Sequence, residues 1–513
     1  MIDMQQANMN YQEDADKLTP TRIAAFIRHH YNNQRPRLEM LYDYYRGQND
    51  GILSPASRRN EKGKADHRAV HSFARYIADF QTSYSVGNAI AMSGPSSDRL
   101  DDFNRRNDID TLNYELYLDM TVTGRAYEYV YRDPSQKGEV SVKLDPMECF
   151  IIYDRSVNPK PIMAVRYHAV QTVVDNITQT KYEVETWTEN DYTRYKPIVV
   201  AGSVPTLEVA EHSAQFGFPM IEYRNNEYRQ GDFENVLSLI DLYDVAQSDT
   251  ANYMTDLNEA MLVIKGDIDT LFDDSTLLQM VDPSDADAMK KLADEKMAQL
   301  EAMRQANMIL LKTGMAPNGQ QTSADANYIH KEYDSAGTEL YKKRLAADIH
   351  KFSHTPDLTD DNFSGNSSGV AMKYKVLGTV ELASTKRKQF ERGLNQRYTV
   401  VAHIEERVNG KWDIDPDEIG FIFRDNLPTD DVAIITALVQ AGAQIPQEYL
   451  YQYLPNVTDA DEIVKMMDKQ RKAMLKTYDT KGGLIINGTS GNDPEDEGVR
   501  GQQGEPEDER TSD

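Results

Sequence analysis

Between Thr355 and Lys375 the chain reads TPDLTDDNFSGNSSGVAMKYK. Carboxylates at Asp357, Asp360 and Asp361 precede a Gly-Ser-Asn stretch, which runs into a helical pattern carrying Lys373 and Lys375. Three chemistries use such ingredients: a phosphate loop, a metal loop, or a segment that must move. A phosphate loop needs G-x-x-x-x-G-K-[ST] after a strand, so that backbone N–H groups and a lysine surround the phosphates. Gly365 and Gly369 are present, but no Gly-Lys-Ser/Thr follows them, and what precedes reads as helix and loop. A loop closing onto a helix N-terminus, with Ser367 or Ser368 as its cap, fits these residues better.

Other candidates for chemistry are weaker. His67 with His71, and His350 with His354, are each spaced to share a helix face, as a zinc site requires. No glutamate adjoins the first histidine of either pair as a zinc-protease helix would need, and no third ligand is evident, so both pairs read as surface or core histidines. The acidic stretch DPEDEG from Asp493 has Gly498 in the sixth position of a calcium loop, but Gly504 occupies the twelfth, where a glutamate is needed. DPSDADA has no glycine at all. Both read as solvated acidic surface. Cys149, the only cysteine, lies in the apolar run MECFIIY and reads as a buried structural thiol. It excludes an intramolecular disulfide framework and suits a reducing compartment.

Composition narrows the partners. The 513 residues carry a net charge of -27, which opposes general adhesion to nucleic acid or anionic membrane. The N-terminus has neither the basic flank nor the apolar core of a signal peptide. The longest apolar run, Val432–Val439, is far short of the ~20 residues of a membrane span. A soluble protein made inside the cell is expected.

The elements that must hold these residues can be read from periodicity. Thr19 as N-cap and Pro20 at the first helical position open a helix, with Ile23, Phe26, Ile27, Tyr31, Leu38, Leu41 and Tyr45 at helical spacing, a break near Pro36, and Gly47 closing it. A basic loop, SPASRRNEKGKADHR, leads to a helix over Ala69–Val86. From Gly124 to Pro219 the period is two, which predicts an antiparallel, meander-like β region. Asp232–Lys265 contains neither Gly nor Pro. Val236, Ile240, Tyr243, Gln247, Thr250, Met254, Leu257 and Met261 step by four and three, predicting one helix of roughly 50 Å with a polar middle at Gln247 and Thr250. A small unit follows, with a Met-rich helix over Ser284–Asn307 and a strand at MILLKTG. A second long helix is expected over Ala324–Phe352. Beyond Gly369 a third helical run carries Gly378 and Gly393, where kinks are expected. Three helical segments and an acidic, disordered tail complete the chain. Helices this long cannot all be covered within one subunit, so oligomerisation is expected.

Two motifs and the order of parts resemble a known family. FPMIEYRNNEYRQGDFENVLSLIDLYD (Phe218–Asp244) and DIHKFSHTPDLTDDNFSGNSSGVAMKYKVLG (Asp348–Gly378) look like the portal proteins of tailed bacteriophages, closest to those of siphoviruses of Gram-positive hosts. The start LYDYYRGQNDGI is also similar, and the resemblance covers most of the chain. It implies a predominantly α, α+β portal fold with long stem helices, an antiparallel β-rich wing, a small clip insertion and a helical C-terminal crown. Carried over, residues 1–231 would be N-terminal helices and wing, 232–265 a stem helix, 266–322 the clip and 323–353 the second stem helix. Residues 354–369 would be the tunnel loop, 370–428 the kinked helix and return, 429–486 the crown, and 487–513 a disordered tail.

The function so implied is a ring-shaped DNA channel, usually dodecameric, at one capsid vertex of the virion, made in the host cytoplasm. It would serve genome packaging, retention and ejection. Implied partners are double-stranded DNA, the terminase large subunit, a head-completion adaptor, and major capsid and scaffolding proteins. No cofactor, metal, catalytic residue or membrane is implied. Asp357, Asp360, Asp361, Asn362, Phe363, Ser364, Gly365, Asn366, Ser367 and Ser368 would form the tunnel loop. Lys373 and Lys375 would face either the DNA or a neighbouring subunit. Another ring protein of the head–tail junction, or a packaging NTPase or nuclease, is the competing reading; the latter lacks a phosphate loop and a convincing carboxylate set.

Overall fold

The computed structural model describes residues 9–57, 64–95, 97–133, 138–174, 177–200, 206–215, 217–256, 261–266, 308–312, 325–329, 334–358, 376–412 and 414–426, with a few single positions in 287–302 and 467–472. Within the unit that ends at Leu427, chain order begins with β1 (Tyr11–Gln12), α1 (Pro20–His29), α2 (Arg35–Tyr45), α3 (Asp50–Leu53), α4 (Phe73–Val86) and β2 (Ala91–Ser93). The Thr19 hydroxyl accepts from the Arg22 N–H, as its cap position predicted. No break occurs near Pro36. A π turn, His30–Gln34, joins α1 to α2, and Pro36 falls in the first turn beyond it, where its missing donor costs least.

Two helices with no forecast from periodicity come next, α5 (Asp98–Arg106) and α6 (Ile109–Thr123). Helix α5 carried readable signals: Ser97 caps it, Asp98 and Asp101 sit in its first turn, and Arg105 and Arg106 in its last. Helix α6 lacked the usual one because it is buried on nearly every side, from Leu112 and Asn113 through Leu116, Tyr117, Asp119 and Met120. A helix surrounded by protein has no polar face to alternate with its apolar one.

The period-two region forms β3 (Arg125–Asp133), β4 (Gly138–Leu144), β5 (Cys149–Tyr153), β6 (Pro161–Val174), β7 (Ile177–Trp187), β8 (Asp191–Ile198) and β9 (Val209–Ala214). It belongs to two sheets. Strands β5 to β9 make an antiparallel meander, and β1 adds to its edge parallel to β5. The β3–β4 hairpin instead pairs with β10 (Met220–Arg224), Tyr223 lying opposite Ala126. Cys149 is fully buried where the two sheets meet, with Tyr127, Ile151 and Trp187.

Helix α7 spans Leu237–Asp256, shorter than the Asp232–Lys265 helix expected, and the chain emerges as strand β11 (Met261–Gly266). Leu262, Val263 and Ile264 favour a pleated surface over a helix, although Met261 happens to continue the helical spacing. Strand β11 lies between β12 (Met308–Lys312), parallel to it, and β13 (Asp325–Ile329), antiparallel. The start expected at Ala324 for the next helix is therefore corrected as well. Helix α8 spans Ser335–Phe352, capped by Asp334, whose side chain accepts from the Gly337 N–H. Of the Met-rich segment, Asp287, Lys290, Asp294, Met297, Ala298, Glu301 and Ala302 are described, all helical and exposed.

Helix α9 (Leu377–Asn409) runs without interruption through Gly378 and Gly393, and β14 (Gly420–Ile422) pairs with β2. Gly393 serves packing rather than a break: a Cβ there would lie 2.3 Å from the Tyr223 ring. Helices α6 and α9 share one core with β3 and β10 through Leu116, Tyr117, Phe390 and Leu394. Helices α2, α4, α7 and α8 share another around Leu41, Ile77, Ile240 and Ile349. In the second unit, Pro428–Asp513, Met467, Lys469 and Lys472 are helical and exposed, and the remaining expectations lie outside the described residues. No helix among the described residues is long and apolar enough to cross a membrane.

One glycine holds the junction of α6 and β3. Gly124 has φ +85°, and a Cβ there would fall 1.9 Å from the Arg229 carbonyl oxygen. Gly124→Ala should cost about 2–4 kcal/mol, through the left-handed strain and a backbone clash together. Urea unfolding checks it, and an unchanged midpoint would contradict the close approach.

Candidate functional site

The root of α7 gathers buried charge. Arg37, from α2, reaches Glu234 through two hydrogen bonds, Nη2 to Oε2 at 2.5 Å and Nε to Oε1 at 2.9 Å. Its remaining donors satisfy the carbonyls of Thr123 and Arg229. Two residues before Glu234, Asp232 accepts from the Lys386 ammonium of α9 at 2.5 Å. That ammonium also donates to the Thr121 hydroxyl and lies 4.8 Å from the Tyr117 ring centroid. Burial pulls the Lys386 pKa down, and Asp232 opposes that pull. The other Asp232 oxygen is held by Asn225 at 2.7 Å.

The same pattern continues into the β10 sheet. Glu222 takes two bonds from Arg229 and one from Arg224. Burial would raise its pKa, but the two guanidiniums outweigh it and hold the carboxyl well below the usual range. Glu128 accepts from Arg397 of α9 at 2.6 Å and from Tyr223 at 2.5 Å. Each buried ion thus has a partner and further hydrogen bonds, the condition for tolerating it away from water. Sequence reading missed these pairs because Arg37 and Glu234 are 197 positions apart, and Lys386 and Asp232 are 154.

Beyond this root, α7 and α8 pack side by side. Gln247, read as the polar middle of the helix pattern, lies in their contact: its Oε1 accepts from the buried Lys342 ammonium at 3.2 Å and its Nε2 reaches the Tyr243 hydroxyl. Thr250 instead donates to its own helix at Ala246. Both helices present large apolar side chains outward, Leu242 and Val245 on α7 and Leu340 and Tyr341 on α8, the third of these 69% exposed.

Helix α8 ends at a pinned corner. His354 adopts a left-handed φ of 53°, and its carbonyl accepts from the Thr379 hydroxyl at 2.7 Å and from Gln81 at 3.2 Å. Gln81 also reaches the Thr355 hydroxyl, while Tyr76 donates to the Pro356 carbonyl. The first turn of α9 is therefore tied to the end of α8, and both to α4. The chain leaves this corner at Leu358 and returns at Val376.

Of the loop residues singled out by sequence, Asp357 is half-exposed, with its carboxylate 3.9 Å from the His350 ring. Asp360, Asp361, Asn362, Phe363, Ser364, Gly365, Asn366, Ser367, Ser368, Lys373 and Lys375 lie outside the described residues. The histidine pairs have other partners: His71 binds Asp244, His67 binds Thr255, and the His350 ring meets the Thr355 carbonyl. Among the described residues no group of His, Cys, Asp and Glu could hold a metal ion.

A sequence profile described as "Phage portal protein, SPP1 Gp6-like" matches residues 24–476. The chain is similar to a portal protein of Bacillus phage SPP1, 21% identical over 448 residues that make up 84% of this chain and 80% of the relative. It is also similar to a portal protein of Clostridium phage phiCD119, 20% identical over 462 residues, or 86% of this chain and 93% of the relative.

Two measurements address the root. Lys386→Met leaves Asp232 buried with its charge uncompensated, and should cost about 3–5 kcal/mol in urea unfolding; a loss of a few tenths would mean the pair is not a keystone. The depressed Glu222 carboxyl contributes stability above its unfolded pKa of about 4.3, and that contribution is lost as pH falls toward the folded value. Glu222→Gln should therefore flatten the acid limb of the stability curve, and an unchanged limb would contradict the assignment.

Proposed function

The chain belongs to the SPP1 Gp6-like phage portal proteins, and on that premise we propose that its copies close into a ring lining a DNA channel at one capsid vertex. The ring would admit, retain and release the genome, and would dock the terminase large subunit and later a head-completion adaptor. Major capsid and scaffolding proteins would surround it. The role is structural, and no catalytic step belongs to it.

The observation that carries this reading is the family match together with the α7–α8 pair, two packed helices that lead into and out of one three-stranded sheet. In this reading they are the stem. With 20 and 18 residues they span roughly 30 and 27 Å at ~1.5 Å per residue, shorter than the sequence suggested. Their outward Leu242, Val245, Leu340 and Tyr341 call for cover, which a neighbouring copy in a closed ring supplies. The clip, expected over 266–322, would widen to 261–329 to take in the whole β11–β13 sheet. The β5–β9 and β3–β4–β10 sheets with the N-terminal helices would be the wing, and residues 429–486 the crown.

Asp357–Ser368 would be the tunnel loop, springing from the pinned corner at His354. A channel must guide a polyanion without holding it, and adhesion rises steeply with each lysine or arginine contact to phosphate. The net charge of -27 suits a low-friction wall. Lys373 and Lys375 would act as weak brakes or meet a neighbouring subunit.

Negative-stain images of the purified protein should contain rings with a central hole. A monodisperse monomer with robust ATP hydrolysis would overturn the reading. Deleting Asp361–Asn366 should leave the rings assembled while packaging or retention of DNA falls. Failure of the deletion variant to fold would instead make that segment part of the core.

A further inference from the structure

One face of α7 carries a row of polar side chains at helical spacing: Asp241, Asp244, Ser248, Asn252 and Thr255. Asp244 is fully buried, and Ser248 and Asn252 are 3% exposed. Tyr44 holds Asp241 at 2.7 Å, and what covers the row from Asp244 onward is a stretch of chain, residues 65–71, that belongs to neither helix nor strand. Its alternate backbone N–H groups meet the row in order. His67 donates to Asn252 Oδ1 at 2.5 Å, Ala69 to Ser248 Oγ at 2.9 Å, and His71 to Asp244 Oδ1 at 2.9 Å.

The match is a matter of pitch. Eight helical residues from Asp244 to Asn252 rise about 12 Å, and the four residues from His67 to His71 span about 13 Å when extended. A helix side-chain row at i, i+4, i+8 can therefore stand in for the edge of a β-sheet. Asn252 completes the imitation: its amide accepts from the His67 N–H and also donates back to the His67 carbonyl, at 3.4 Å. Two ring contacts add registration, His71 Nδ1 on Asp244 at 2.8 Å and His67 Nε2 on Thr255 at 2.8 Å. Asn49 holds the other Asp244 oxygen at 2.6 Å.

The covering segment has only a light apolar hold. None of residues 64–72 is fully buried, Asp66 and His67 are exposed, and the His71 ring meets the Tyr243 ring edge-on at 4.8 Å. Its attachments are hydrogen bonds, including those of Arg68 to the carbonyls of Ile52 and Ser54. A segment with no fully buried side chain opens at low cost, and the row beneath can be satisfied by water once it does.

We propose that the polar face of α7 is a rail that reads an extended polypeptide backbone, and that residues 65–71 of the same chain are its detachable occupant. Docked, this strap braces the half of α7 that precedes β11. Undocked, it frees that half without unfolding the cores around Ile77 and Leu116.

The test is hydrogen exchange on the full-length protein with Ala69→Pro, Ser248→Ala and the double variant. Proline suits an extended position and removes only the N–H that meets Ser248. Each single change should speed exchange at the amides of His67 and His71 by roughly tenfold, the scale of one lost hydrogen bond. The double variant should add little, since both changes delete the same bond. Exchange in β5–β7 should not change. The proposal is overturned if the two effects simply add, or if the strap amides exchange only with the whole protein. Protection that rises with protein concentration would assign the rail to another copy's strap and overturn the intrachain assignment.

Discussion

The root of α7 depends on charges that cannot be left alone. Asp232 and Glu234 enter the interior two residues apart, and each would be intolerable there without its cation. Their partners come from opposite ends of the chain, Lys386 from α9 and Arg37 from α2. A hydrophobic contact at this place could slide by an ångström at little cost, whereas a buried bidentate guanidinium–carboxylate pair has one good geometry. The N-terminal helices, the β10 sheet and α9 are thereby keyed to one point, from which α7 departs at a set angle.

From that point outward α7 is a helix with two different neighbours. Its apolar side, through Leu237 and Ile240, joins the core it shares with α2, α4 and α8. Its polar side is covered by the 65–71 segment through side-chain acceptors. The first contact is held by area removed from water and tolerates repacking. The second is directional and solvent-exchangeable. Such a helix is held rigidly at one end and lightly along one face.

Much of this organisation was legible in the residues. The change to period two began at Arg125, one residue after Gly124, and burial of Cys149 followed from its apolar neighbours. Thr19 announced its helix. Asp334 could have announced α8, since an Asp three residues before a Gly-led amide is a cap pattern; the helical spacing upstream drew the helix start eleven residues too early, at Ala324 rather than Ser335. The same spacing carried α7 through Met261, where β-branched residues and two pairing partners make a strand. The polar row of α7 was also present in the sequence, but the apolar row drew attention because it is the stronger periodic signal.

The sequence by itself determined which stretches alternate as strands, where caps fall, that the thiol is inaccessible, and which family the chain resembles. These are properties of neighbours in the chain, where period and composition carry the information. Only the tertiary structure decided that α6 is buried on nearly every side, that Lys386 neutralises Asp232, that the ends of α8 and α9 meet at the His354 carbonyl, and that a loop backbone rides the polar face of α7. Each of these joins residues far apart in sequence, and a charge or an amide carries no local mark of the partner that will satisfy it once water has been excluded.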